Sequence, residues 1–118
     1  MHNQIVDFRL NMDGDNSAPE PDKLLAGSPS HVVRNYFSDP SQQFHTGVWS
    51  STRGKWRIRY SESEFCALTR GRVALENLEG KRWEFGPGEG FVVPAGFVGT
   101  WEVLDDCTKF YAIFEART

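Results

Sequence analysis

The stretch that decides the fold is residues 88–96, GEGFVVPAG, which is followed by residues 99–101, GTW. A glycine, five residues and then Pro-x-Gly is typical of a short strand that ends in a sharp turn, because proline fixes φ and glycine accepts unusual backbone angles. Upstream, Glu64 and Gly71 are separated by six residues, a spacing typical of a second strand and turn. Together these signatures predict a protein built from short strands.

Composition narrows the class of protein. The chain has 118 residues, of which 39% are hydrophobic, so we expect one globular domain with a sizeable core. A net charge of −3 argues against nucleic acid as a partner. The polar start and the lack of a long apolar run predict neither a signal peptide nor a membrane span. Cys66 and Cys107 make no disulfide framework, so we expect a reduced, cytoplasmic protein, with a single bridge as the alternative.

Short apolar and aromatic runs separated by turn residues recur roughly every 8–12 residues, a pattern that predicts an all-β sandwich or barrel. The predicted strands are residues 31–37, 44–49, 56–60, 64–68, 73–76, 82–85, 91–93, 100–104 and 109–115, with a turn at residues 69–72. Residues 5–10 are a candidate edge strand, and the polar, proline-containing residues 11–22 are expected to be mobile or extended. We therefore divide the chain into a partly flexible N-terminal extension, residues 1–20, and one domain, residues 21–118.

These motifs together carry a family resemblance over roughly residues 20–117. The matching segments are residues 47–49 (GVW), 54–56 (GKW), 64–65 (EF), 71–73 (GRV), 86–91 (GPGEGF), 94–97 (PAGF) and 99–103 (GTWEV). The chain resembles a small single-domain cupin, a family with an all-β, double-stranded β-helix (jelly-roll) barrel. It is most similar to the subgroup of ethanolamine-utilisation cupins and the cupin domain of ureidoglycine aminohydrolase.

The first cupin motif resembles G-x5-H-x-H-x3or4-E-x6-G, and its two histidines normally bind a metal. Glu64 matches the glutamate of this motif. Counted back with three intervening residues, the histidine positions hold Ile58 and Tyr60; counted with four, they hold Arg57 and Arg59. Alternation favours the first count, because it places the apolar side chains of this strand inside the barrel.

The second cupin motif resembles G-x5-P-x-G-x2-H-x3-N, and here Gly99 and Val103 occupy its histidine and asparagine positions. A first-row metal in such a barrel needs three or four nitrogen or oxygen ligands. The mapped positions offer little beyond Glu64, so we predict no metal and no other cofactor, with a transition metal as the alternative. His31 and His45 lie outside both motifs, and either would supply a ligand if an added strand turned it inward.

Inward alternation predicts an aromatic-lined pocket formed by Trp56, Ile58, Tyr60, Glu64, Cys66, Phe91 and Trp101. The alternative is a packed core with no ligand. Glu64 is the candidate catalytic residue, since an inward carboxylate that lacks a partner is available as a general acid or base. Pairing with Arg57 or Arg59 would remove that role. We expect Cys66 to be inert, because no histidine is adjacent in sequence to activate it.

The resemblance and these residues predict a protein that binds or converts a small organic metabolite in its barrel without the usual cupin metal. A metal-dependent enzyme acting on a ureido or small nitrogen compound is one alternative, and a non-catalytic sensor or assembly module is another. The resemblance also implies a homodimer that pairs through edge strands or sheet faces. We expect a small-molecule ligand and neither nucleic acid nor membrane as a partner.

Overall fold

Nine antiparallel strands account for most of residues 3–117, which are the residues described by the computed structural model. The strands are β1 (Asp15–Ser17), β2 (Leu24–Gly27), β3 (His31–Ser38), β4 (Phe44–Ser51), β5 (Gly54–Arg59), β6 (Ser63–Asn77), β7 (Arg82–Phe85), β8 (Gly90–Val93) and β9 (Val98–Phe114). Positive φ angles at Gly88 and Gly96 form the turns on either side of β8, where the sequence predicts them.

Two long strands, β6 and β9, fold the sheet over on itself. The second half of β9 pairs with β4, and its first half pairs with β5. The first half of β6 pairs with β8 and the second half pairs with β7, while β6 and β9 pair along their whole length. The two halves of the sheet are therefore β1-β3-β4-β9-β6-β8 and β2-β5-β9-β6-β7, which face each other. This arrangement is a jelly-roll barrel in a single domain and confirms the predicted all-β fold.

The predicted turn at residues 69–72 is wrong, because β6 runs through it as one strand with a bulge. The register between β6 and β9 shifts between Leu68 and Val73, and Gly71 has a φ of 83°. A Cβ at Gly71 would collide with the backbone of Asp106 on β9. The two strands predicted at residues 100–104 and 109–115 are likewise one strand, β9. The bulge bends both long strands and so allows each to take part in both halves of the barrel.

The N-terminal strand lies further along the chain than predicted. Residues 5–10 form no strand, whereas β1, inside the segment expected to be mobile or extended, pairs with the edge of β3. Before β1, Phe8 stacks on Tyr36 at 4.7 Å between ring centroids and meets Phe110 edge-on at 5.6 Å. Residues 1, 2 and 118 of the two predicted segments lie outside the described residues.

The core fills the space between the two halves of the sheet. Its buried members are Trp56, Cys66, Leu68, Val73, Leu75, Val93, Trp101, Val103 and Cys107. Both cysteines are free thiols rather than a disulfide. Across residues 3–117, we find no helix with the length and apolar character needed to cross a bilayer. A cavity beside this core forms the candidate site.

Candidate functional site

A cavity of about 470 Å³ lies inside the barrel. The strands that enclose it place alternate side chains inward, so aromatic and polar groups share its wall. Its aromatic lining consists of Trp49, Trp56, Tyr60, Trp101 and Tyr111. Its polar lining consists of His31, Asn35, His45, Glu62, Glu64 and Lys109. Aromatic walls with a few polar groups are the usual composition of a small-molecule site.

A buried ion pair joins β6 and β9 in the wall of this cavity. The Lys109 Nζ donates to Glu64 Oε2 at 3.0 Å, and both side chains are almost completely buried. The Tyr60 hydroxyl donates to the other carboxylate oxygen, Glu64 Oε1, at 2.7 Å. Glu64 lies opposite Ile113 and Lys109 lies opposite Leu68, so the two residues share the inward side of the sheet without being direct neighbours, and the long lysine side chain reaches along the strands to the carboxylate. The carboxylate thus has two donors, which offsets the cost of burying its charge.

The Lys109 ammonium also contacts three other side chains. It lies 4.3 Å from the centre of the Trp101 ring and 4.7 Å from that of Trp49, which is cation–π geometry. It donates a weak hydrogen bond to Cys66 Sγ at 3.4 Å. Burial lowers the pKa of Lys109, but Glu64 and Cys66 outweigh that effect and the net pKa is raised. Lys109 is therefore a fixed cation at neutral pH and not a nucleophilic amine.

The two acidic neighbours of this ion pair also retain their protons. Burial and the adjacent charge of Glu64 raise the pKa of Tyr60 well above its ordinary value. Burial raises the pKa of Cys66 to about 12, although Lys109 acts in the opposite direction. A thiol in that range is almost entirely protonated at neutral pH, which supports the expectation that Cys66 is inert.

His31 has an unsatisfied nitrogen in the cavity wall. Its side chain is 8% exposed, and its ring lies 4.8 Å from Trp56 and 5.1 Å from Trp49 between centroids. Among the described residues, its Nε2 has no hydrogen-bond partner, and the same holds for Trp101 Nε1. Burial and the nearby Lys109 charge lower the pKa of His31, so the imidazole is neutral at physiological pH. A buried polar atom without a partner normally meets water or a ligand.

The remaining polar groups are held by their neighbours. The Tyr111 hydroxyl donates to Asn35 Oδ1 at 2.7 Å. The Nδ1 of His45 lies 2.7 Å from Ser38 Oγ, and its Nε2 lies 3.1 Å from the carbonyl oxygen of Gln42. Both ring nitrogens of His45 are thus engaged, in contrast to His31.

Comparison with protein families identifies the chain. A model of the EutQ-like cupin domain matches residues 38–111, which is more than half of the protein. This chain belongs to the EutQ-like cupin family. A comparison with curated proteins finds no significant match.

Solved structures agree with the family assignment. A protein of unknown function of the DUF861 family from Pseudomonas syringae pv. tomato is 26% identical, with a TM-score of 0.81 over 92% of this chain and 46% of the other. EutQ from Clostridium difficile is 16% identical, with a TM-score of 0.67 over 75% of this cupin and 64% of that protein. Ectoine synthase from P. lautus is 13% identical, with a TM-score of 0.64 over 75% and 66% of the two chains. This cupin thus spans less than half of the Pseudomonas protein and less than two thirds of the C. difficile EutQ chain.

The residues of this cupin do not fit the metal that the cupin fold often holds. Ile58 and Tyr60 occupy the first-motif histidine positions, and Glu64 is already paired with the Lys109 ammonium. A side chain at Gly99 would collide with the backbone of β6. No group of three His, Cys, Asp or Glu side chains among residues 3–117 is arranged to bind a metal ion. In this barrel an ammonium group provides the positive charge beside the glutamate.

The structure brings most of the predicted pocket together. Trp56, Ile58, Tyr60, Glu64 and Trp101 line the cavity. Cys66 is fully buried behind the wall. Phe91 lies instead in a separate apolar groove between β7 and β8, where it stacks on Phe85 at 4.0 Å.

Glu64 has a charged partner in the structure, whereas the sequence led us to expect an inward carboxylate without one and offered Arg57 or Arg59 only as the alternative. Arg57 and Arg59 are exposed on the outside of β5, and Lys109 pairs with the carboxylate instead. The sequence analysis did not predict that Trp49 and Tyr111 line the cavity. It considered His31 only as a residue that an added strand could turn inward. The alternation of residues 107–113 (CTKFYAI) carries a usable signal, because it places Lys109 and Tyr111 on the same side of a strand.

Proposed function

We propose that this cupin binds a small, uncharged organic molecule with oxygen acceptors, without a metal, in the cavity beside Lys109. The observation that carries this proposal is the set of unsatisfied nitrogen groups around the buried Glu64–Lys109 pair. The cavity volume of about 470 Å³ lies within the range of about 300–1,000 Å³ that is usual for small-molecule sites.

Hydrogen-bond capacity favours an oxygen-bearing ligand. An ammonium has three N–H groups, and the hydrogen bonds of Lys109 to described residues use two of them, on Glu64 and Cys66. The indole N–H of Trp101 and the Nε2 of His31 have no partner among those residues. A carbonyl or hydroxyl oxygen in the cavity would accept from Lys109 and Trp101, and from His31 when its Nε2 carries the proton, and would remove the cost of burying these groups unpaired.

Charge favours a neutral ligand. The faces of Trp49 and Trp101 would attract a cation, but the Lys109 ammonium already covers both. An anion would gain little from Lys109, since Glu64 compensates that charge, and it would also meet the carboxylate of Glu62 at the wall. The buried pair thus makes the site polar but nearly neutral, and amides, ketones and alcohols are the matching chemical class.

The protonation states favour binding over acid–base turnover. Tyr60, Cys66 and Lys109 each have a raised pKa and keep their protons at neutral pH. A general acid or base works best with a pKa near the operating pH. We therefore rank conversion of the ligand below binding, and a metal-dependent reaction lower still because the ligand set does not fit. A non-catalytic sensor, the other alternative function, would need only ligand binding and would therefore use the same site.

The proposal is tested by thermal-shift screening of a panel of amides, ketones and diols, together with the amines and carboxylates of the same carbon skeletons. Val33→Phe fills the cavity from β3, and Val32→Phe is its matched control, because Val32 does not line the cavity. We expect stabilisation by uncharged compounds, loss of that effect in Val33→Phe and retention in Val32→Phe. Equal responses in the two variants, or a response to amines alone, would refute the proposal.

His31→Phe separates binding from stability. This change keeps an aromatic ring between Trp49 and Trp56 and removes the unpaired nitrogen. We expect the free protein to melt at the same temperature or higher, because an unsatisfied buried group is lost. The shift caused by an uncharged ligand should shrink. A variant with reduced stability and unchanged ligand shifts would show that His31 is structural.

A further inference from the structure

A row of hydrogen bonds runs along the cavity wall from Tyr111 on β9 to His45 on β4. The Tyr111 hydroxyl donates to Asn35 Oδ1 at 2.7 Å, and Asn35 Nδ2 donates to Ser38 Oγ at 2.8 Å. Ser38 Oγ lies 2.7 Å from His45 Nδ1, and His45 Nε2 lies 3.1 Å from the carbonyl oxygen of Gln42. We call the four side chains of Tyr111, Asn35, Ser38 and His45 the wall network.

Backbone carbonyl oxygens fix the direction of this network. A carbonyl oxygen only accepts, so His45 Nε2 carries the proton at one end, and Nδ1 of the neutral ring accepts from Ser38. The Ser38 oxygen in turn accepts from Asn35 Nδ2, which also lies 3.5 Å from the carbonyl oxygen of Phe37. Asn35 Oδ1 is therefore the end of the amide that faces Tyr111, and the Tyr111 hydroxyl must donate to it.

Gly47 makes room for the contact between the phenol and the amide. It lies on β4 between the two residues, opposite Asn35 on β3 and opposite Tyr111 on β9. A Cβ at this position would come within 2.9 Å of both the Tyr111 hydroxyl oxygen and the Asn35 Cα. The absence of a side chain on β4 thus allows Tyr111 to reach across one strand.

With its proton engaged, the Tyr111 hydroxyl offers the cavity an oxygen acceptor. Burial and the charge of Glu64 raise the pKa of Tyr111 to about 12, so the hydroxyl keeps its proton at neutral pH. Among the residues that the structure describes, none donates to this oxygen. The Tyr60 hydroxyl in the same wall is engaged in the same way, by the Glu64 carboxylate. Neither phenol is free to donate to a ligand, whereas both can accept from one.

Building on the function proposed above, we propose that Tyr111 determines the specificity of the cavity by accepting an N–H of a ligand whose oxygen accepts from Lys109 and Trp101. Amides that retain an N–H carry both groups on neighbouring atoms, whereas ketones and tertiary amides lack the donor. A site that pairs a ligand donor rejects the analogue without it, because its own buried acceptor is then left without a partner. The ligand class is thereby narrowed to primary and secondary amides.

The test compares two isosteric pairs, benzamide with acetophenone and isobutyramide with methyl isopropyl ketone. In each pair the amide has an NH₂ group where the ketone has a methyl group. Isothermal titration calorimetry is carried out at about pH 8, where imidazole groups are ordinarily neutral. We expect the wild-type protein to bind each amide about three- to tenfold more tightly than its ketone, which is the difference made by one neutral hydrogen bond. Val33→Phe, which fills the cavity, should abolish binding of all these compounds.

Two variants test the wall network itself. Tyr111→Phe should weaken the amides, leave the ketones unchanged and reduce the preference to less than about twofold. Asn35→Ala frees the Tyr111 hydroxyl to donate, so it should strengthen binding of the ketones and lower the preference, and it carries the test if Tyr111→Phe does not fold. Tyr36→Phe is the matched control and should keep the preference, because the Tyr36 hydroxyl donates to the carbonyl oxygen of Leu10 and Tyr36 does not line the cavity.

The outcomes separate this role of Tyr111 from the proposed function. Equal affinities for amide and ketone, both lost in Val33→Phe, would refute the role of Tyr111 and leave the proposed function standing. A preference that Tyr111→Phe and Asn35→Ala both retain would refute it as well, since another acceptor, such as Glu62, would then take the N–H. Absence of any binding that Val33→Phe removes would refute the proposed function and the role of Tyr111 with it.

Discussion

Replacing Lys109 by methionine tests whether the buried ion pair is a cooperative unit. Methionine keeps a long side chain between Trp49 and Trp101 but removes the ammonium, so Glu64 is left with Tyr60 as its donor. Removing one member of a buried pair costs about 3–5 kcal/mol, because the remaining charge is uncompensated. For 118 residues, an unfolding entropy of about 0.25 kcal/mol/K converts this loss into a fall in Tm of roughly 12–20 °C.

The double variant Glu64→Gln/Lys109→Met should be more stable than the sum of the single effects predicts. In it, neither charge is buried, and the amide oxygen of the glutamine can still accept from Tyr60. Residues in direct contact show coupling energies of about 0.5–3 kcal/mol, and we expect a value in the upper part of that range here. The positive coupling would show that each charge is tolerated in the barrel because the other is present.

Urea unfolding at pH 7, monitored by tryptophan fluorescence, gives the free energies of unfolding of the wild type, the two single variants and the double variant. The surface pair Arg53–Asp105 is the control, because its atoms are 3.2 Å apart but both side chains are mostly exposed. The coupling energy of this exposed pair, measured in the same kind of cycle, should lie between about 0 and 1 kcal/mol. Additive effects of Glu64→Gln and Lys109→Met would refute the reasoning, since charges that do not interact cannot compensate each other's burial.

Four further predictions concern pH, truncation and metal content. Because burial and Lys109 lower the pKa of His31 from 6.5, the unfolded chain binds the proton more readily, so the free energy of unfolding should fall as pH drops below about 6.5; His31→Phe should reduce this slope in urea titrations. The pKa of Cys66 is raised from 9.0 to about 12, so its contribution is complete below pH 9 and is lost as pH rises towards 12, which alkaline melting curves would detect. Deletion of residues 1–20 should leave a folded domain with a modest loss of stability, since β1 adds three residues to one sheet edge; a chain without cooperative melting would contradict this. Elemental analysis of gently purified protein should find no stoichiometric transition metal. A metal whose binding depends on Glu64 would contradict the conclusion that the residues of this cavity do not fit a metal.

The sequence by itself determined the fold and the inward side of one strand. Side-chain direction alternates with a period of two along any strand, so residues 56–60 showed which side chains face the interior. The Pro-x-Gly turn at residues 94–96 forms as expected, because its conformation depends on the residues within it. Local chemistry was sufficient wherever the cause of a feature lies within a few residues of it.

The tertiary structure alone decided what Glu64 pairs with. Its partner, Lys109, is 45 residues away, and their contact depends on the register between β6 and β9, which places Glu64 opposite Ile113 and Lys109 opposite Leu68. The bulge around Gly71, which the sequence predicts as a turn, packs Gly71 directly against the backbone of Asp106 on β9, so its place inside a continuous strand depends on the opposite strand as well as on its own residues. The neutral state of His31 arises in the same way, since burial and a distant charge lower its pKa. Pairing and burial join residues from separate strands, and the period-two pattern within each strand contains no information about which strand lies beside it.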